Sequence, residues 1–167
     1  MGDISEVDTT EMVHDIWSLS APPPGFRIEI VGTLPTFMTY RSPLEQVLRN
    51  LIGNAIKHHP SPEGCVTVSA QSNEDHFLFS VADDGEGIPD EYRERVYQMF
   101  QTLKPRDDME GSGMGLAIVS RIVAWQGGRI WHEHGPSGRG TVFKFEWKLK
   151  DQPSSEAVTA ISGSRAA

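Results

Sequence analysis

Two stretches of helical periodicity with a pair of alternating stretches between them limit what this chain can fold into. Leu44, Val47, Leu48, Leu51, Ile52, Ala55 and Ile56 recur at helical spacing, and so do Leu116, Ile118, Val119, Ile122 and Val123. Between them, Val66 to Gln71 and Phe77 to Val81 alternate, split by the polar turn Ser72 to Asp75. Two strands in direct succession read as an antiparallel pair. Simple strand–helix–strand alternation is therefore broken, which argues against a Rossmann sheet.

The remaining elements follow from local signals. Thr9 to Leu19 reads as a helix capped by Asp8 or Thr9, with Val13, Ile16 and Trp17 on one face. Pro22, Pro23 and Pro24 end it and force an extended connector up to Gly25. Phe26 to Val31 and Thr36 to Tyr40 read as strands. Ser42 reads as the cap of the next helix, with Pro43 in its first position and Glu45 completing a capping box. Pro60 and Pro62 end that helix. Glu91 to Met99 is expected to be a short helix and Thr102 to Ser112 a polar loop. The helix Gly115 to Trp125 is stopped by Gly127 and Gly128. Arg129 to Glu133 and Thr141 to Leu149 read as strands joined by the glycine-rich turn Gly135 to Gly140.

The sum is an α+β two-layer sandwich, a mixed and mostly antiparallel sheet of about five strands covered by about three helices. Residues 1–150 form one expected domain. Residues 151–167 are Ser/Ala-rich without periodicity and are expected to be a disordered tail.

Composition removes several classes of function. The formal net charge is −8 and no dense Lys/Arg run occurs, against a nucleic-acid or anionic-membrane surface. The single cysteine, Cys65, makes no intrachain disulfide and reads as a small buried apolar residue. No apolar run approaches the roughly 18 residues of a membrane span. The acidic N-terminal stretch lacks the apolar core of a signal peptide, so a cytoplasmic setting is expected.

Four places carry possible chemistry. Asn50, Asn54 and Lys57 stand at i, i+4 and i+7 and share one helix face beside the apolar stripe. Asparagine is a modest helix former, so two on one face call for a reason. A solvated polar face is one reading. The other is a cleft rim on which an amide oxygen serves as a hard Mg²⁺ ligand and an ammonium meets phosphate. In the second place, a strand runs into Asp83, Gly85 and Gly87. There a carboxylate can accept a hydrogen bond from an exocyclic amine such as adenine N6, and missing side chains admit a flat ring; an ordinary Asp-Gly turn is the alternative. In the third, Gly111, Gly113 and Gly115 lie against a helix start, where bare amides and the helix dipole favour an anion. Their spacing matches neither the dinucleotide fingerprint nor a P-loop. In the fourth, Gly138, Gly140 and Thr141 precede the last strand.

Taken in order, the Asn-bearing helix, the strand with its DxGxG turn, Phe100 after a short helix, the GxGxG helix and the GxGT strand resemble the ATP-binding catalytic domain of sensor histidine kinases. That family belongs to the superfamily of gyrase-type ATPases, heat-shock chaperones and mismatch-repair ATPases. The resemblance covers about Thr9 to Lys150 and implies a Bergerat-type fold with ATP and Mg²⁺ as cofactors. By resemblance, Asn54 is the Mg²⁺ ligand, and Asn50 and Lys57 act with it in catalysis. Asp83 recognises adenine, with Gly85, Gly87 and Ile88 beside the base and Thr141 near the aspartate. Phe100 matches the F box. Gly111, Ser112, Gly113, Met114, Gly115 and Leu116 match the glycine box that meets the triphosphate at the end of a mobile lid. Lys104 and Arg106 are candidate lid contacts, and His58 and Tyr92 candidate pocket-lining residues.

Hydrolysing members of the superfamily carry a glutamate one turn before the metal-binding asparagine, to activate water. Here Asn50 holds that place, and an amide is a poor base. The resemblance therefore implies transfer to a protein nucleophile, with positioning and charge stabilisation as the catalytic means. Six histidines are present. His14 precedes Asp15 in too short a helix to be the acceptor. His58 and His59 suit a helix C-terminus, and His132 and His134 read as exposed strand residues rather than a metal pair. The expected partners are a His-bearing dimerisation hairpin outside this chain and a response-regulator receiver domain. No nucleic-acid or direct membrane contact is expected, although a parent kinase could be membrane-anchored, and the isolated domain is expected to be a monomer. An anti-sigma-type serine kinase and a non-catalytic docking module are the alternative readings.

Overall fold

A computed structural model describes residues 3–57, 59, 61–85, 114–135 and 139–149. The described elements, in chain order, are β1 (Ile4–Asp8), α1 (Thr9–Leu19), β2 (Gly25–Ile30), β3 (Thr36–Tyr40), α2 (Arg41–Lys57), β4 (Glu63–Ser72), β5 (His76–Asp83), α3 (Met114–Trp125), β6 (Ile130–His134) and β7 (Thr141–Lys148). Strands β2-β4-β5-β7-β6 form a five-stranded sheet, and β1 pairs with β3 in a separate two-stranded one. The β2–β4 pair is parallel, and β4–β5, β5–β7 and β6–β7 are antiparallel. The expected α+β sandwich is thus the observed one.

Local chemistry sets several boundaries. The Asp8 carboxylate accepts the Glu11 N–H at 3.1 Å, the N-cap geometry that starts α1. At the end of α3, Gly127 adopts φ +89°, the Gly127 N–H donates to Ala124 O and the Gly128 N–H to Val123 O, both at 2.9 Å. This is the paired closure that a left-handed glycine permits after a helix. The start of α2 differs from expectation. The helix begins at Arg41, so Ser42 lies inside it rather than capping it. Strand β3 ends at Tyr40 and feeds straight into the helix, leaving no separate cap residue. Pro43 is tolerated there because the first-turn amides have no intrahelical partner.

The core lies between the large sheet and the helices. Leu44, Val47, Leu48, Leu51 and Ile52 of α2 are fully or almost fully buried, and α2 packs on β4, β5, α1 and α3. On β7, Thr141, Phe143, Phe145 and Trp147 are buried, while Val142, Lys144 and Glu146 between them are half-buried and Lys148 is exposed. That period-two pattern gives the sheet one covered face and one polar face. Phe79 stacks on Phe145 with centroids 5.2 Å apart, and Trp147 meets Phe145 edge-on. The Trp147 indole N–H donates to Thr39 Oγ1 at 2.9 Å, which ties the small sheet to the large one. Sequence reasoning missed β1 because its five residues are stabilised by pairing with β3, across the whole of α1 and β2.

The expected helix at Glu91 to Met99, the loop Thr102 to Ser112 and the tail 151–167 lie outside the described residues. Cys65 is buried and unpaired, as expected. His132 is a correction. It is 7% exposed rather than solvated, because its side chain points to the covered face and lies against Phe143, with ring centroids 5.5 Å apart. Among the described residues no helix is long and apolar enough to cross a membrane.

Candidate functional site

The candidate site draws on the C-terminal end of β5, the start of β7 beside it, and one face of α2. Strand β5 ends on Asp83, directly opposite Thr141, the first residue of β7. The Asp83 carboxylate accepts the Gly85 N–H at 2.9 Å, a tight turn that fixes the side chain. Burial pushes this carboxyl above the usual aspartate range, and the Gly85 N–H, the neighbouring His59 and the Thr141 N–H only partly offset it. A carboxylate kept half-desolvated with acceptor capacity to spare is well suited to a hydrogen-bond donor on a flat ligand. Gly140 presses on the same place. It holds φ +77°, and a Cβ there would overlap the Asp83 carbonyl oxygen. The glycine before Thr141 is therefore required twice over, by its backbone angle and by the closeness of β5.

Helix α2 supplies the second half. Asn50 and Asn54 are half-buried and Lys57 is exposed. No side-chain hydrogen bond links any of the three to another described residue. The apolar stripe beside them is buried, and it packs α2 on β4 and β5. Asn54 offers one hard amide oxygen. That suits Mg²⁺, which keeps waters and substrate phosphate oxygens as most of its ligands. Among the described residues no group of three or more His, Cys, Asp or Glu is placed to hold a metal ion.

Gly115 and Leu116 lie in the first turn of α3, which Met114 opens, and are half-buried. A Cβ at Gly115 would meet no described atom within 4 Å. His58, Gly87, Ile88, Tyr92, Phe100, Lys104, Arg106, Gly111, Ser112 and Gly113 lie outside the described residues. Of the described candidates, Asp83, Gly85 and Thr141 meet at the end of β5 and the start of β7, while Asn50, Asn54 and Lys57 lie on α2.

Two residues beside the site escaped sequence reasoning. His59 lies past the last residue of α2, and its ring is bonded to Asp84 at 2.7 Å rather than resting on the helix dipole. Asp84 also accepts the Cys65 N–H at 3.1 Å. Partial burial pushes the Asp84 carboxyl up, but the Cys65 N–H and the His59 ring outweigh it and hold it below the ordinary range. The sequence offered a faint signal in a second acid directly after Asp83, but nothing local pairs it with a histidine 25 residues earlier.

Comparison with known proteins points the same way as this geometry. Residues 39–151 match the family model described as histidine kinase-, DNA gyrase B-, and HSP90-like ATPase. The cyanobacterial phytochrome A of Nostoc sp. is 42% identical over 112 residues, 67% of this chain and 14% of that protein. The chain therefore spans about a seventh of that relative's length. The mycobacterial sensor histidine kinase MprB aligns with TM-score 0.73 and 27% identity, covering 87% of this chain and 97% of that one. Full-length ShkA, solved in complex with AMPPNP, aligns with TM-score 0.72 and 31% identity, over 88% of this chain and 31% of that one.

Proposed function

Because the chain belongs to the family of histidine kinase-, DNA gyrase B- and HSP90-like ATPases, we propose that it binds Mg-ATP between Asp83 and the Asn-bearing face of α2. It presents the γ-phosphate to a histidine on a helical hairpin that is not part of this chain. The phosphoryl group then passes to the receiver domain of a response regulator. The observation that carries this reading is the half-buried Asp83 carboxylate at the end of β5, held by the Gly85 N–H and faced by Thr141. In this role the carboxylate accepts the adenine exocyclic amine, and Gly85 leaves room for the ring.

Asn54 holds Mg²⁺ from the helix, and Lys57 meets phosphate charge at the helix end. Mg²⁺ held by Asn54 would supply neutralisation of phosphate charge at this end of the site. Asn50 stands where hydrolysing members of the superfamily carry a glutamate. Its amide cannot take a proton from water, so ATP is kept for a protein nucleophile. The backbone amides at Gly111 and Gly113 and the start of α3 receive the triphosphate, with Lys104 and Arg106 as lid contacts. The same site is a monomeric module until the hairpin docks.

Calorimetric titration with ATP, with and without Mg²⁺, tests the reading. The wild type is expected to bind more tightly with Mg²⁺. Asp83→Asn is expected to lose binding by about 100-fold or more, since it removes the charged acceptor for a buried donor. Asn54→Ala is expected to retain metal-free binding and lose the Mg²⁺ gain. Phosphorylation of an added His-bearing hairpin then separates a kinase from a mere binder. A wild-type chain that binds no ATP overturns the proposal.

A further inference from the structure

His59 stands two positions beyond the end of α2, and its side chain is only 5% exposed. Both ring nitrogens are engaged. The Ser61 N–H points at Nδ1 at 3.1 Å, and Nε2 lies 2.7 Å from Asp84 Oδ1. A backbone amide can only donate, so Nδ1 is the acceptor and the ring proton sits on Nε2, donated to the Asp84 carboxylate. The contact is a charge-assisted hydrogen bond from a neutral ring. The surroundings are shaped for that ring. Phe26 meets it edge-on at 5.2 Å, and a Cβ on Gly64 would come within 2.8 Å of both Nε2 and the Phe26 ring. The same Asp84 oxygen accepts the Cys65 N–H from β4 at 3.1 Å. The exit of α2, the start of β4 and the end of β5 therefore meet on one carboxylate oxygen, on the residue next to Asp83.

From this junction we infer that His59 is a positioning residue. Its bond to Asp84 latches the exit of α2 to the end of β5, and so fixes the spacing between the Asn54–Lys57 face and Asp83. This rests on the nucleotide reading above. A ligand that touches both ends needs that spacing and gains from having it set before binding. Mg-ATP is such a ligand, held by its base at Asp83 and by its metal and phosphates at α2. ATP without metal loses the contact through Asn54, so it depends less on where α2 stands. The latch therefore acts on the Mg²⁺ gain in affinity rather than on nucleotide binding as a whole.

The test uses the full chain with His59→Ala, Asp84→Ala, Asp84→Asn and the double variant His59→Ala/Asp84→Ala, each titrated with Mg-ATP and with ATP in a chelator. Breaking the latch from either side is expected to weaken Mg-ATP by roughly 10-fold, the scale on which supports behind a ligand-holding residue act. Metal-free ATP is expected to weaken by less than about threefold, because that complex bypasses the Asn54 contact. Asp84→Asn keeps an oxygen that accepts both donors and should stay within about twofold of wild type. The double variant should lose no more than either single one, since both remove the same bond. Nitrogen-15 NMR of the nucleotide-free wild type should show His59 with its proton on Nε2.

Equal weakening of both ATP forms would reduce His59 to a general support and overturn the proposal, as would a ring protonated on Nδ1. Should His59→Ala fail to fold, Asp84→Ala reports the same bond from its exposed side. A wild-type chain that binds neither form of ATP defeats the nucleotide reading and the latch with it. A wild type that binds both, beside variants that match it, defeats the latch alone.

Discussion

The two ends of the proposed nucleotide site, its base end and its phosphate end, are held by different means. At the base end, Asp83 is fixed by the backbone. It sits in register opposite Thr141, takes the Gly85 N–H, and has the Gly140 backbone pressed on its carbonyl. At the phosphate end, Asn50, Asn54 and Lys57 have no side-chain hydrogen bond to another described residue, and their placement depends on how α2 packs. The sheet specifies one end through hydrogen-bonded register, and the core specifies the other through burial of an apolar stripe. A hydrogen-bonded register admits no half-step, whereas a packed helix can tilt or slide by small amounts. Damage to the core should therefore reach the phosphate end first, and damage to the strand ends should reach the base end first.

The largest effect tests the helix. Leu48 is completely buried beneath α2. Leu48→Ala is expected to destabilise the fold by about 3 kcal/mol, the lost transfer energy plus the cavity left behind. Chemical denaturation should show a lower midpoint at an unchanged slope. In the folded fraction, the Mg²⁺ gain in ATP affinity should shrink more than metal-free binding does. Equal losses would mean that the two ends are one rigid body. Next comes the strand end. Gly140→Ala forces a side chain into a left-handed angle and onto the Asp83 carbonyl, at a cost of about 2 kcal/mol. Both forms of ATP should weaken together here, because the base contact is common to them. Retained metal-free binding in this variant would detach Gly140 from the base end.

How much of this was legible in the sequence follows the same division. Elements set by neighbours along the chain could be read. Asp8 caps α1 through the amide three residues on, and Gly127 closes α3 within one turn. The alternation of β4 and β5 and the stripe of α2 are enough to announce a covered sheet. Elements set by distant partners could not be read. Strand β1 exists because β3 pairs with it, and α2 starts at Arg41 because β3 delivers the chain there already turned. His132 is buried because its register partner is Phe143, and its own polarity suggested the reverse. At the site, the acid at Asp83 and the amides at Asn50 and Asn54 were visible as residue types at a spacing. The bond between His59 and Asp84 was not, since 25 residues separate them and only the fold closes that gap.

The third effect is smaller and has a sign that can be worked out. Burial raises the Asp83 carboxyl above its ordinary value of 3.8. A carboxyl raised in the folded state binds more protons there than in the unfolded chain. Its contribution to stability is thus full below the unfolded value and is lost as pH rises through the folded one. At neutral pH the ionised side chain is a burden on the fold. Asp83→Asn keeps an oxygen for the Gly85 N–H and removes that burden. Its melting temperature at pH 7 should exceed that of the wild type by a few degrees, although nucleotide binding is lost. The gap should close as pH falls below the Asp83 titration. A less stable Asp83→Asn at pH 7 would show that the carboxylate earns its place in the fold and not only in binding.

The smallest expected effect on stability is the most telling about α2. Asn54 is half-buried in the last turn of a long helix and bonds to no other described side chain. Alanine is the better helix former by roughly 0.5 kcal/mol, because the asparagine amide competes for backbone hydrogen bonds outside the helix. Asn54→Ala should therefore leave the denaturation midpoint unchanged or raise it slightly, while the Mg²⁺ gain in ATP affinity disappears. Leu48→Ala and Asn54→Ala then form opposite cases on one helix. The first loses stability and, through it, the placement of the metal ligand; the second loses the ligand at no cost to the fold. If Asn54→Ala instead destabilised by 2 kcal/mol or more, a scale that belongs to broken buried networks, the amide would be a structural group. The phosphate end would then be specified by hydrogen bonds, as the base end is.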